Sequence, residues 1–253
     1  MDLKLPDLAI GETYRGRCPA CHRPSTFSVT RLSNSLVYNC YAASCGLRGR
    51  KMTALTADDM RHRYSREQPE THTPRPLPSF THHEHVTRLC EAHGITPEDV
   101  AYDPLRGRVV FLLRDLRGRA IDAIGRTVRG DLPKWLRYSD SKAPVVVGGG
   151  RWLIVVEDIV SARKACQACP TAASMALLGT SLSTEHLICA SDYDEVFICL
   201  DKDATDKAVK IHRRLSTFVE RCSVLMLQSD IKDMSEADIR ELFIDTSNQG
   251  AVR

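Results

Sequence analysis

The 253-residue chain has no run of about 18 consecutive apolar residues, the length that a membrane-spanning helix needs, so no span is expected. Its first residues, MDLKLPDLAI, lack the basic head and long apolar stretch of a secretory signal. The expected compartment is a reducing cytoplasm. There is no G-x-x-x-x-G-K-[ST] phosphate loop: the run VGGGRW at 147–152 has no lysine and leads into a strand instead of a helix. No motor of that type is expected. No Ser-His-Asp arrangement, no helical His-Glu-x-x-His and no internal repeat is visible.

What is present is ordinary in bulk and uneven in detail. At 43% hydrophobic and 26% charged residues, the chain supports one good core and a small extra module. Net charge is only +3, but residues 106–137 carry nine Lys or Arg against three acids, a local balance of +6. Residues 151–253 carry twelve bases against sixteen acids, a balance of −4. A basic middle beside an acidic C-terminal half suits polyanion binding next to a cation site.

Ten cysteines in a reducing compartment suggest thiols or metal ligands rather than disulfides. Cys18 and Cys21 form C-x2-C, an 18-residue spacer follows, and Cys40 and Cys45 form C-x4-C. Such pairs bite one tetrahedral ion, and four thiolates suit zinc. The spacer reads as two short strands with a turn at Ser33–Asn34, a zinc-ribbon pattern. The other reading is four separate buried thiols. Against it, a module of about 50 residues with few large apolar side chains would struggle to fold without the metal. His22 adjoins Cys21 and is weighed as a substitute ligand. Cys166 and Cys169 are also C-x2-C, but on an expected helix with no second pair, and are read as packing. THHEH at 81–85 is read as a solvated helix start.

The chain divides as follows. Residues 1–50 are the cysteine module. Residues 51–79 are a charged helical piece and a linker, whose last part, PETHTPRPLPS, holds four prolines. Residues 80–150 are a basic subdomain, with a helix ending at Gly94 and two strands about a turn at Asp115–Gly118. Residues 151–245 alternate strand and helix, which implies a parallel sheet flanked by helices. Its strands read WLIVV, SMALLG, EVFICL and SVLML, and the helix after the third is expected to run to about residue 222. Residues 246–253 are expected to form a flexible tail. The class is α/β, α+β overall.

Ligands of such sheets bind at the carboxyl ends of the strands. Glu157 follows WLIVV, Asp201 and Asp203 follow FICL, and Asp233 lies past SVLML. In an extended segment Asp201 and Asp203 would point the same way and share a ligand. Crowded carboxylates repel unless a cation neutralises them, and their hard oxygens suit magnesium or manganese. The plainer reading is that acids cap helices at strand ends.

The series LIVVE, FICLDKD and DIKDMSE resembles the TOPRIM domain of primases and topoisomerases. The preceding RGRVVFLLRDLRGRAIDAIGRTV and PKWLRY resemble the basic subdomain before TOPRIM in bacterial and phage primases. With the cysteine module in front, the order is similar to that of bacterial replicative primases, and most like the primase half of short-tailed-phage primase–helicases. The resemblance implies a DNA-dependent RNA polymerase that makes short primers by metal-dependent nucleotidyl transfer. It implies Glu157 as catalytic acid, base or metal ligand. Asp201, Asp203 and Asp233 would hold magnesium or manganese. Arg108, Arg126, Lys134 and Lys207 would hold nucleotide or template phosphates, with Lys232 a weaker candidate. The ribbon would carry structural zinc and read the template trinucleotide. Implied partners are single-stranded DNA, ribonucleoside triphosphates, a separate helicase and a DNA polymerase, in a bacterial cell and with a phage origin. The family reads Glu-Gly-x-x-Asp at the first motif, whereas this chain reads EDIVSA. Asp158 is then the expected substitute carboxylate, Ser161 being a poor magnesium ligand, and the number of metals stays open. A TOPRIM nuclease and a non-catalytic nucleic-acid-binding protein are the alternatives.

Overall fold

The computed structural model describes residues 3–32, 34–53, 83–114, 120–139, 143–178 and 182–249. The proline-rich linker, nearly all of the expected helical piece before it, Ser33 and the turn at Asp115–Gly118 lie outside them.

The cysteine module is an antiparallel sheet of β1 (Thr13–Gly16), β2 (Phe27–Arg31), β3 (Ser35–Cys40) and β4 (Arg48–Met52), ordered β1-β2-β3-β4. The pair expected in the spacer is β2 and β3, which put Phe27 opposite Cys40. Phe27, Val29 and Leu36 pack with Cys18, Cys40 and Ala42 in a small core covered by Leu3, Leu5 and Leu8.

The basic region opens with helix α1 (Glu84–His93). His83 caps its N-terminus by accepting from the His85 N–H, and its ring stacks 4.2 Å from Tyr102. Gly94 closes the helix in the left-handed conformation (φ 58°), which glycine adopts without a Cβ penalty. Strands β5 (Val100–Asp103), β6 (Arg108–Arg114), β7 (Ala120–Thr127) and β8 (Trp135–Arg137) form an antiparallel meander. Alternation along the strands sends Val109, Phe111, Ile124 and Trp135 to one face and Val110, Ala123 and Tyr138 to the other.

The second large sheet has the order β13-β12-β10-β11-β9. β10 (Trp152–Val156), β11 (Ala172–Ala176), β12 (Glu195–Ile198) and β13 (Arg221–Val224) are parallel, and β9 (Val145–Gly148) is an antiparallel edge. Helices α2 (Ile159–Ala168), α3 (Thr184–Ala190) and α4 (Thr205–Leu215) make the crossovers, and α5 (Glu236–Gln249) follows β13. Both faces of the sheet are covered, which is why its strands read as unbroken apolar runs. Ile154, Val156 and Phe197 pack under α2 and α5, in one core with the face of the basic sheet that carries Phe111 and Ile124. Leu153, Val155 and Ile198 pack under α3 and α4.

Several expected boundaries move. β9 belongs to the parallel sheet, so the division at residue 150 falls inside that sheet. Gly150 packs so closely on the turn before β11 that a Cβ there would overlap the Thr171 carbonyl. Helix α4 stops at Leu215, where the Thr217 hydroxyl donates to the Arg213 carbonyl and competes with the helix ladder. The last strand accordingly starts two residues earlier than SVLML. α5 continues to Gln249, so the first four residues of the expected tail are helical.

Candidate active site

Strands β10 and β12 are parallel neighbours, with Val155 in register with Ile198. Glu157 and Asp201 therefore leave the sheet side by side, at its carboxyl edge. Asp158 begins α2, where its carboxylate accepts the Ser161 N–H at 2.9 Å. Beyond β13 the chain forms a 3-10 turn, Ile231–Asp233, preceded by Asp230. Lys232 projects from that turn into the acids. Its Nζ lies 2.9 Å from Asp230, 3.2 Å from Asp201 and 3.6 Å from Asp158. A second lysine, Lys207 of α4, donates to Glu157 Oε1 at 2.8 Å.

The cluster is compensated from within only in part, by two lysines facing four acids. Burial raises the pKa of Asp201; the Lys232 ammonium opposes that rise, and the nearby Asp230 and Glu157 carboxylates add to it. For Asp230, burial works upward, but Lys232 and the Lys202 N–H hold its pKa below the usual range. Burial alone would lower Lys232, yet Asp230, Asp158 and Asp201 raise it well above an ordinary lysine.

Two expected ligands are placed elsewhere. Residues 201–204 form a turn, closed by the Ala204 N–H on the Asp201 carbonyl at 2.8 Å, so the extended-chain argument for pairing Asp203 with Asp201 does not hold. Asp203 is exposed and lines a cavity of about 430 Å³ with Lys207, Lys210 and Arg214. Asp233 pairs with His93 of α1 at 3.7 Å. Asp230, not singled out in the sequence, shares Lys232 with Asp201 and Asp158. Both acids flank one lysine in DIKD, and only the 3-10 turn decides between them.

The expected phosphate ligands also separate. Arg108 is 5% exposed, and its guanidinium donates to the Pro133, Gly125 and Lys134 carbonyls at 2.9, 3.3 and 3.4 Å. In this structure it ties β6, β7 and β8 together. Arg126 is half-buried, stacked 5.7 Å over the Trp135 ring, and Lys134 is exposed. Trp135, with Arg137, lines a second cavity of about 380 Å³ that reaches Leu178 and His186. The Leu178 N–H donates to the Glu157 carbonyl at 2.9 Å, so this cavity adjoins the first acid.

A divalent cation fits this donor set on one observation: three carboxylates already surround a cationic group. Among the described residues, no three of these acids bring oxygens within 4.8 Å of one another, so the ring is open around the ammonium. The cysteines are tighter. Cys18 and Cys45 lie 3.8 Å apart and Cys21 and Cys40 3.7 Å, with all four sulfurs within 4.8 Å. A tetrahedron with bonds of about 2.3 Å has edges of about 3.8 Å, so four thiolates at these positions fit zinc. The Thr26 hydroxyl leads in lowering Cys40 to about 6. The Leu47 N–H favours the Cys45 thiolate, but burial and the other three thiols push it to about 11. His22 lies outside this group, in a left-handed turn at φ 57°. Cys166 donates to the Val147 carbonyl at 3.1 Å and packs α2 on β9.

No family model matches the chain. A DNA primase of Deinococcus radiodurans is 37% identical over 115 residues, which cover 39% of this chain and 20% of that protein. The matched part thus spans about a fifth of the curated relative. The zinc-binding and RNA polymerase domains of the Aquifex aeolicus primase superpose with a TM-score of 0.55 at 19% identity, covering 96% of this chain and 81% of that one. The primase fragment of the bacteriophage T7 primase–helicase gives a TM-score of 0.46 at 15% identity, covering 92% of this chain and 98% of that one. The chain has the fold of the Aquifex domains, and it resembles a bacterial-type DNA primase in sequence.

Proposed function

We propose that this chain is a DNA primase, a nucleotidyltransferase that makes short RNA primers on single-stranded DNA. The observation that carries the reading is the set Glu157, Asp158, Asp201 and Asp230 at the carboxyl edge of a parallel sheet, in the fold of a primase. A bound magnesium or manganese ion would supply Lewis acidity, favouring the ionised 3′-hydroxyl and offsetting phosphate charge. Glu157, Asp158, Asp201 and Asp230 would hold it. Asp203 and Asp233 flank them on turns and would complete the set in the substrate complex.

The chain's own residues do the rest. Arg126 and Lys134 draw in triphosphate or template phosphates, and Trp135 offers an aromatic face beside them. Lys207 donates to Glu157 Oε1 and orients that carboxylate, which is placed to accept a proton from the attacking hydroxyl. The zinc-bound module reads the start site on the template, and its Arg15, Arg17 and Arg23 contact the backbone. A separate helicase supplies single strands, and a DNA polymerase extends the primers. The working site is the cytoplasm of a bacterial cell, and the gene is of phage origin.

The test is primer synthesis on a pool of single-stranded templates with labelled ribonucleotides and magnesium, beside Asp201→Asn. Short oligoribonucleotides from the native chain alone are expected. Templates cut by the native chain, with no oligoribonucleotides, would replace the reading with a nuclease.

A further inference from the structure

The middle of the carboxylate ring is occupied by the chain's own ammonium. Lys232 has three N–H donors and three carboxylates within ion-pair distance, at 2.9, 3.2 and 3.6 Å. It is 18% exposed, so water screens it little. Asp201 is the acid it shares with any incoming ion. Magnesium coordinates a carboxylate at about 2.0–2.1 Å. An ammonium left 3.2 Å from the same carboxylate oxygen would then lie next to a dication. Two like charges that close in a half-buried site repel strongly, so one of them has to leave. Asp230 offers the lysine a way to step aside, because it follows β13 two residues before Lys232 and also accepts the Lys202 N–H.

We propose that Lys232 is a tethered counter-ion that competes with a divalent cation for Asp201. The ammonium offsets part of the negative charge of the acid ring when no metal is bound and must be displaced for metal to enter. Lys232 is thus a positioning residue that sets metal affinity and selects for conditions in which the ion is abundant. The inference rests on reading the ring as a divalent-cation site. Its test reads metal binding and not primer synthesis, so the two readings fail separately.

Manganese binding to the zinc-loaded full chain is measured by electron paramagnetic resonance. Lys232→Met is expected to bind manganese at least tenfold more tightly than the native chain. Lys232→Arg, which keeps the charge, is expected to return to weak binding. Asp201→Asn added to Lys232→Met is expected to remove the gain. If Lys232→Met folds poorly without metal, its melting temperature should climb with manganese concentration far more steeply than that of the native chain, by linkage. Equal affinities and equal melting slopes for the native chain and Lys232→Met would overturn the proposal. So would a gain shared by Lys232→Arg, or one that survives Asp201→Asn.

Discussion

Two clusters of like charge stand at opposite ends of the chain, and they solve the same electrostatic problem differently. The four thiols of the N-terminal module touch in two pairs, at 3.7 and 3.8 Å, with all four sulfurs within 4.8 Å, and the groups that act on Cys40 and Cys45 are a hydroxyl, backbone amides and the other thiols, besides burial. The four acids of the parallel sheet are each held by a lysine, Glu157 by Lys207 and the other three by Lys232. Among the described residues no cation acts on Cys40 or Cys45, and an ion is needed to hold all four thiols ionised together. The second is compensated in part by the fold, with two lysines against four acids. On the function proposed above, the difference separates an ion that builds structure from one that would serve chemistry.

Stripping zinc should therefore have the largest effect. A structural zinc contributes on the order of 10–16 kcal/mol of apparent binding energy in small modules. The small core around Phe27 and Leu36 does not replace that. Chelation, or Cys40→Ser, should unfold residues 3–53 and leave the main body, with its separate core, melting as before. Limited proteolysis followed by mass mapping would show cuts confined to the module. Cuts spread over the whole chain would break the comparison. Stripping magnesium should do the reverse, leaving every melting transition in place and abolishing primer synthesis. Asp201→Asn should match it, with a loss of roughly a hundredfold or more, the scale of removing one electrostatic partner of a transition state.

The contrast also explains what was legible in the sequence. The cysteine ligands carry their geometry in their spacing, because C-x2-C and C-x4-C close on one ion whatever surrounds them. WLIVV was legible to the residue, since a strand buried on both faces has to be apolar throughout. Glu157 and Asp201 followed from that, as the first polar residues past such strands. The lysines did not follow. Lys207 and Lys232 reach the acids across 50 and 31 residues of chain, which no local pattern records. Arg108 looks like its neighbours in a basic strip, and only the register of β6, β7 and β8 shows it buried. Short strands such as β5 and β8, held by buried pins more than by apolar alternation, were missed.

Those pins give a third, smaller contrast. Arg108→Met should leave the Gly125, Pro133 and Lys134 carbonyls short of a donor and cost about 1–3 kcal/mol of stability. Arg126→Met should change stability by about 0.5 kcal/mol or less and weaken template binding, lowering the salt dependence by about one phosphate contact. Thermal melts and salt titrations of both variants would decide the matter. Equal loss of binding at equal stability would return Arg108 to the phosphate site. Asp103 is a pin with a pH signature. Burial works upward, but the Tyr138 hydroxyl at 2.6 Å, the N–H groups of Leu105 and Arg106 and the Arg106 guanidinium hold its pKa below the usual carboxylate range. A carboxyl lowered on folding stabilises above its unfolded pKa and loses that contribution as pH falls through the folded one. Asp103→Asn should flatten the acid limb of the melting curve at and below the ordinary carboxylate range, and an unchanged limb would remove Asp103 from the account.

The smallest effect separates structure from chemistry within one turn of helix. Asp158 caps α2 and also borders Lys232, whereas Ser161 is 2% exposed with a hydroxyl that has no hydrogen-bond partner among the described residues. Asp158→Ala should cost about 1 kcal/mol from the lost cap, and primer synthesis should fall much further than that loss accounts for. Ser161→Ala removes a buried hydroxyl that already lacks a partner, so stability should hold or rise slightly, and activity should stay within about twofold. Asp158→Asn completes the test, because an amide still accepts the Ser161 N–H and keeps the cap. If Asp158→Asn restores stability and leaves activity low, the carboxylate's charge is what the reaction uses, and EDIVSA has moved its second acid to the helix cap. If both variants recover together, Asp158 is a cap alone, and Glu157, Asp201 and Asp230 carry the site without it.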